Sequence, residues 1–278
     1  MHVAKKGSET VAGPEAAAAA GTGTLSFPCL RVGMAWVNCV VGSGVCVRRG
    51  FERGKGRGRG RSGGGHDVVR WCGSGWAGDA ASLGARAERE TQRWLEKVVI
   101  GLNLCPFAEP AARAGGLRVV ACLEEAVDGV VRCVAREAEA LAGEARRGGT
   151  TTTTTTTLVV CPVCRELDAF EAFLACADEV EAVIWGEGMD LEGVLQVATF
   201  HPEYQFAGED PGDPAAFTNR SPWPTFHLLR ETDVGRAADT YPGGTEVIPA
   251  RNAARLRGMG LDEVERLRRS VVGGYEID

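Results

Sequence analysis

Between Phe200 and Glu231 the chain reads FHPEYQFAGEDPGDPAAFTNRSPWPTFHLLRE. Pro202, Pro211, Pro214, Pro222 and Pro224 each remove a backbone donor and hold φ near about −65°, so most of this stretch cannot enter a helix or a central strand. It does not read as disorder either. Disordered chains are poor in aromatic residues, and Phe206, Phe217 and Trp223 all fall here. Ordered loops longer than about 15 residues are uncommon in compact domains unless they are functional. The stretch is therefore expected to build a site.

The segments around it alternate between helical and strand periodicity. Trp94, Leu95, Val98, Val99 and Leu102 recur at helical spacing and predict a helix over 88–104, stopped where Pro106 disfavours helix at Cys105. Leu117–Cys122 predicts a short strand. Leu123, Val127, Val130, Val131, Val134, Ala138 and Leu141 predict an amphipathic helix running to about Arg147. The end of the threonine run Thr150–Thr157 leads into a second strand through Val160, the rest of the run reading as a repeat expansion in a loop. A helix follows over 165–185, with Leu167, Phe170, Phe173, Leu174, Ala177, Val180 and Ile184 inward. Val194–Phe200 and Phe226–Glu231 predict the last two strands. Thr232 is the expected cap of a short helix, Pro249 opens the next, and Asp262 the last.

This order predicts an α/β (or α+β) domain: a small, mainly parallel sheet of βαβαββ order packed with helices. Ligands in such sheets sit beyond the carboxyl ends of the strands. His201 follows directly on the third strand, so topology and composition point to the same loop.

Charge divides the chain. Residues 1–87 carry 12 Lys+Arg against 5 Asp+Glu; residues 88–278 carry 19 against 32. The first part, with its alanine run and the Arg-Gly repeat Arg53–Arg61, cannot bury enough apolar surface to offset chain entropy and reads as a disordered basic leader. A chloroplast or mitochondrial transit peptide, a passive extension and a weak RNA-binding arm all fit it; without an organelle address the chain reads as cytoplasmic. Residues 88–278 read as a single globular domain, too acidic for phosphate-backbone binding. No stretch approaches the ~20 apolar residues of a membrane span.

Ten cysteines show no regular spacing, and several fall in apolar patterns, which reads as buried thiols rather than a disulfide framework. Cys161 and Cys164 form one CxxC without a second pair, a weak metal signal.

The candidate chemistry lies in the folded part. His201 and His227 are its histidines and can act as acid or base. Glu231 is the expected orienting carboxylate for His227, and Cys105, at a chain exit defined by proline, is a candidate nucleophile. Arg220 can clamp an anion bidentately, with Asn219, Ser221, Tyr204 and Gln205 completing a substrate surface. Together these suggest an enzyme acting on a small anionic substrate. A non-catalytic module binding a metabolite or partner is the second reading, and a metal site on His201, His227 and either Cys105 or a carboxylate the third; no cofactor or oligomeric state is indicated.

The segments Leu102–Ala108 (LNLCPFA), Phe200–Gly208 (FHPEYQFAG), Thr218–Pro224 (TNRSPWP), His227–Glu231 (HLLRE) and Ile248–Asn252 (IPARN) together resemble the bacterial family catalogued as domain of unknown function 1415. The resemblance covers about Thr91 to Gly260, excluding the leader and the threonine run. It implies one small soluble domain and carries no established activity.

Overall fold

A computed structural model describes residues 79–147 and 154–273. Most of the basic leader, with its transit-peptide and Arg-Gly readings, and the first part of the threonine run lie outside them.

Helix α1 spans Ala80–Trp94, and Asp79 caps it by accepting from the Ser82 amide at 2.7 Å. The domain thus begins before Glu88: Ala87, assigned to the leader by its composition, is fully buried. Composition misled here because alanine and arginine are also strong helix formers. The helix expected to run to Leu104 changes pitch instead. Leu95–Ile100 is π-helical, and Gly101 and Leu104 donate back five residues to Glu96 O (3.0 Å) and Val99 O (2.8 Å). Asn103 then leaves the helix with φ +46°.

A short helix α2 (Ala108–Arg113) leads to strand β1 (Leu117–Ala121). Next come α3 (Val127–Arg147), β2 (Thr156–Val160), a 3-10 turn (Arg165–Asp168), α4 (Phe170–Trp185) and β3 (Leu195–Phe200). A long loop containing a second 3-10 turn (Pro214–Thr218) returns the chain to β4 (Thr225–Arg230). Helices α5 (Glu231–Asp239), α6 (Val247–Met259) and α7 (Leu261–Val271) complete the fold. No helix among the described residues is long and apolar enough to cross a membrane.

The domain is α/β, and the βαβαββ order holds along the chain, but the sheet is mixed rather than mainly parallel. Its order is β1-β2-β4-β3, with β1 parallel to β2 and β4 antiparallel to both its neighbours. Strands β1, β2 and β3 point the same way. The loop after β3 reverses the chain and sends β4 between β2 and β3, where all six of its residues are buried. A central strand needs apolar residues on both faces whichever way it runs, so its composition does not encode direction.

Each sheet face carries its own core. On one, α3 and α4 pack Val130, Val134, Leu141, Phe173 and Val180 against Val159, Phe226 and Leu228. On the other, α1, the π-helical segment, α6 and α7 pack Trp94, Val98, Leu256 and Val264 with Leu158 and Phe200. Side chains of this size contribute roughly 1.5–3 kcal/mol each when fully buried. Two expected core residues face solvent: Leu123 precedes α3 and is 43% exposed, and Leu174 is 38% exposed.

Candidate functional site

The sheet divides the residues expected to share one site. Ala198 on β3 is the register partner of His227 on β4, so both face the α1 side. His201, an odd number of residues from Ala198, faces α4, with its ring 5.2 Å from those of Phe170 and Phe173. Both of its nitrogens are engaged. Nε2 donates to Leu167 O at 2.9 Å, and Nδ1 accepts from the Glu203 amide at 3.0 Å. This is a neutral imidazole pinning the loop to the turn before α4, and burial takes its pKa down to about 4. The set His201, His227 and Cys105 is therefore not assembled as a metal site. Among the described residues no group of three or more His, Cys, Asp or Glu is arranged to hold a metal ion.

Glu231 opens α5 and donates its amide to Val194 O at 3.0 Å. Four residues of strand place it about 13 Å from His227 along the chain, too far to orient that imidazole.

Arg220 is committed to the loop itself. Its Nε donates to Tyr204 O and its Nη2 to Pro211 O, each at 3.0 Å, while the guanidinium lies 4.6 Å from the Phe217 ring centre. Asn219 is fully buried; its Nδ2 donates to Thr199 O at 3.4 Å and its Oδ1 accepts from Thr218 at 3.1 Å. Ser221 Oγ donates to Trp223 O at 2.6 Å, and exposed Gln205 donates to Glu209 O at 3.2 Å. Tyr204 packs its ring on Phe170 and Phe206. Proline has removed five amides from this loop, and these side chains satisfy the carbonyls and turns that remain.

Cys105 and His227 do come together. They line one crevice between the helical layer and the sheet, with Thr156, Thr218, Phe200 and Trp94. Its volume is about 20 Å³, room for about one water. None of the lining side chains carries a formal charge at neutral pH. Burial drives the His227 pKa down to about 3 and pushes the Cys105 thiol well above its ordinary value. The Thr156 hydroxyl donates to Leu228 O at 2.9 Å and also contacts His227 Nε2. A hydroxyl has one hydrogen and the carbonyl can only accept. Nε2 is thus the protonated nitrogen, donating to Thr156.

Two uncommon backbone features border the crevice. Leu95 and Val99 reach it from the π-helical segment, a form that recurs at functional sites. Leu104 and Cys105 reach it just after the positive φ at Asn103. That exit is clamped from α6: Arg251 Nη2 donates to Asn103 O at 2.7 Å, and buried Asn252 donates to Leu104 O at 2.6 Å. The side chains of the Ile248–Asn252 segment thereby hold the backbone of the Leu102–Ala108 segment.

Sequence reasoning missed Thr156, hidden in a threonine run, and Glu90. The latter is 2% exposed and accepts from Arg86 Nε (2.8 Å), Trp223 Nε1 (2.9 Å) and the Gly273 amide (2.9 Å). Its one sequence signal is a position four residues before Trp94, on the inward face of a helix.

Fold and site define a class: a four-stranded mixed α/β domain whose neutral crevice is lined by a π-helical turn and by Thr218 of a proline-rich loop. The family model described as protein of unknown function (DUF1415) matches residues 86–266, and the chain belongs to that family. No curated protein and no solved structure matches the chain.

Proposed function

We propose that the domain is a binding module for a small uncharged ligand, held in the Cys105–His227 crevice without being chemically altered. The observation that carries this reading is a buried neutral imidazole and thiol lining an apolar crevice, against which the chain turns π-helical. Burying a charged ligand there is costly without a partner. The lining supplies no cation, since the Arg220 guanidinium is spent on two loop carbonyls. The crevice has room for about one water, so the ligand is neutral and no larger than about two or three heavy atoms, with an apolar end and a polar group. Binding is favoured over acid/base turnover because the Thr156 proton goes to Leu228 O rather than to the imidazole.

The test is a thermal-shift and protein-observed NMR screen of the smallest neutral alcohols and amides (methanol, ethanol, formamide and acetamide), with each binder analysed by mass after incubation. The expected result is a binder that shifts the Cys105 and His227 resonances and is recovered intact. Ala108→Leu, which fills the crevice, should abolish that binding with the fold retained. A screen without binders, or a binder recovered as product, overturns the reading.

A further inference from the structure

Five cysteines, Cys122, Cys133, Cys161, Cys164 and Cys176, are buried in the α3/α4 core, across the sheet from the crevice and independent of the proposal made for it. Two of them stand side by side on neighbouring strands. The β1–β2 register ends with Ala121 opposite Val160, and the ladder continues one step further, the Cys122 amide donating to Val160 O at 2.7 Å. Cys122 and Cys161 are therefore the next pair. Adjacent strands lie about 4.8 Å apart, inside the roughly 4.4–6.8 Å between Cα atoms that a disulfide spans. Paired residues project to the same face, and both side chains belong to the same buried cluster, at 1% and 2% exposure. The side chains of Cys133 and Cys161 are both close enough to the Cys122 thiol to shift its pKa.

We propose that Cys122 and Cys161 are a disulfide-forming pair that staples β1 to β2 when the domain meets a small-molecule disulfide. The Cys122 thiol loses its proton, and its sulfur attacks the small disulfide, whose S–S bond breaks to release one small thiolate. Cys161, also deprotonated, then attacks the Cys122 sulfur. The protein S–S bond forms, and the second small thiolate leaves. Two protein thiols are oxidised, one small disulfide is reduced by two electrons, and the two protons end on the two released thiols. Against the lowering effect of Cys133, the neighbouring Cys161 side chain and burial together hold the Cys122 thiol at about 12, so Cys122 rests protonated and reacts when the strand ends open.

Cys133 is the competitor. It approaches from α3 rather than along the ladder, and its sulfur accepts from Arg136 Nη2 at 3.5 Å.

The test incubates the full chain with oxidised glutathione at pH 8, with and without sub-denaturing urea. Remaining thiols are alkylated in denaturant and the unreduced peptides mapped. The expected product is a Cys122–Cys161 cross-link that dithiothreitol reverses. It should be retained in Cys133→Ser, absent in Cys161→Ser, and accompanied by a melting temperature raised by roughly 5–10 °C. Full alkylation of Cys122 and Cys161 after oxidation in urea, or a cross-link of Cys122 to Cys133 in the unmodified chain, overturns the proposal.

Discussion

His201 and His227 stand on opposite faces of one sheet, the first stacked on Phe173 beneath α4 and the second beside Phe200 beneath α1. The strand between them explains why. Ala198 and His227 are register partners, and a side chain three positions along from Ala198 must emerge on the other face. Each imidazole is buried, and each is neutral for the same reason, loss of water around its charged form.

This burial makes acid stability a direct readout of both rings. Burial lowers the pKa from 6.5 to about 4 for His201 and to about 3 for His227. Below pH 6.5 the unfolded chain therefore binds protons that the folded one does not. Stability is intact above that pH and falls as pH drops toward 4, by about 1.4 kcal/mol per unit for each ring. Urea midpoints measured between pH 7 and 4.5 should decline with this slope. His201→Asn should flatten the dependence while lowering stability at pH 7, and an unchanged slope would count against the neutral assignment.

Glu90 ties two distant parts of the chain to α1, taking donors from Trp223 and Gly273 as well as from Arg86 one turn earlier on its own helix. Glu90→Ala leaves the indole N–H and a backbone amide without their acceptor. It is expected to cost about 3 kcal/mol in chemical denaturation. Glu90→Gln, which keeps an acceptor, should cost less, and Trp223 fluorescence reports the release of the loop.

Gly101 closes the π-helical turn. A Cβ built there comes within 2.4 Å of Lys97 O, a backbone atom that cannot step aside. Alanine at most exposed helical sites stabilises relative to glycine. Here Gly101→Ala should destabilise by about 2 kcal/mol or more. It should also perturb the NMR resonances of Val99, Leu104 and Cys105 ahead of those on the α3/α4 face.

Arg220→Lys separates a structural guanidinium from a ligand clamp. Lysine keeps the charge but cannot hold Tyr204 O and Pro211 O in one planar fork over Phe217. The expected outcome is a loss of about 1–2 kcal/mol with ligand affinity at the crevice unchanged. A variant of full stability with lost binding would instead mark Arg220 as a ligand contact.

Local periodicity determined much of this protein. Hydrophobic spacing located the strands and the helices α3 and α4 to within a few residues, because the pattern that buries one face of an element is written in consecutive positions, but it began the first helix eight residues late. Proline content marked 202–224 as an ordered irregular loop for an equally local reason. Pairing lay outside its reach. Only the folded chain decided that β4 slots antiparallel between β2 and β3, since Thr225–Arg230 buries both faces in either direction. That choice placed His227 with Cys105 and Thr156 and left His201 across the sheet. The partners of Glu90, Asn252 and Cys122 were likewise decided by tertiary contact. A hydrogen bond or a thiol contact depends on two positions meeting in space, and no run of neighbouring residues records that meeting.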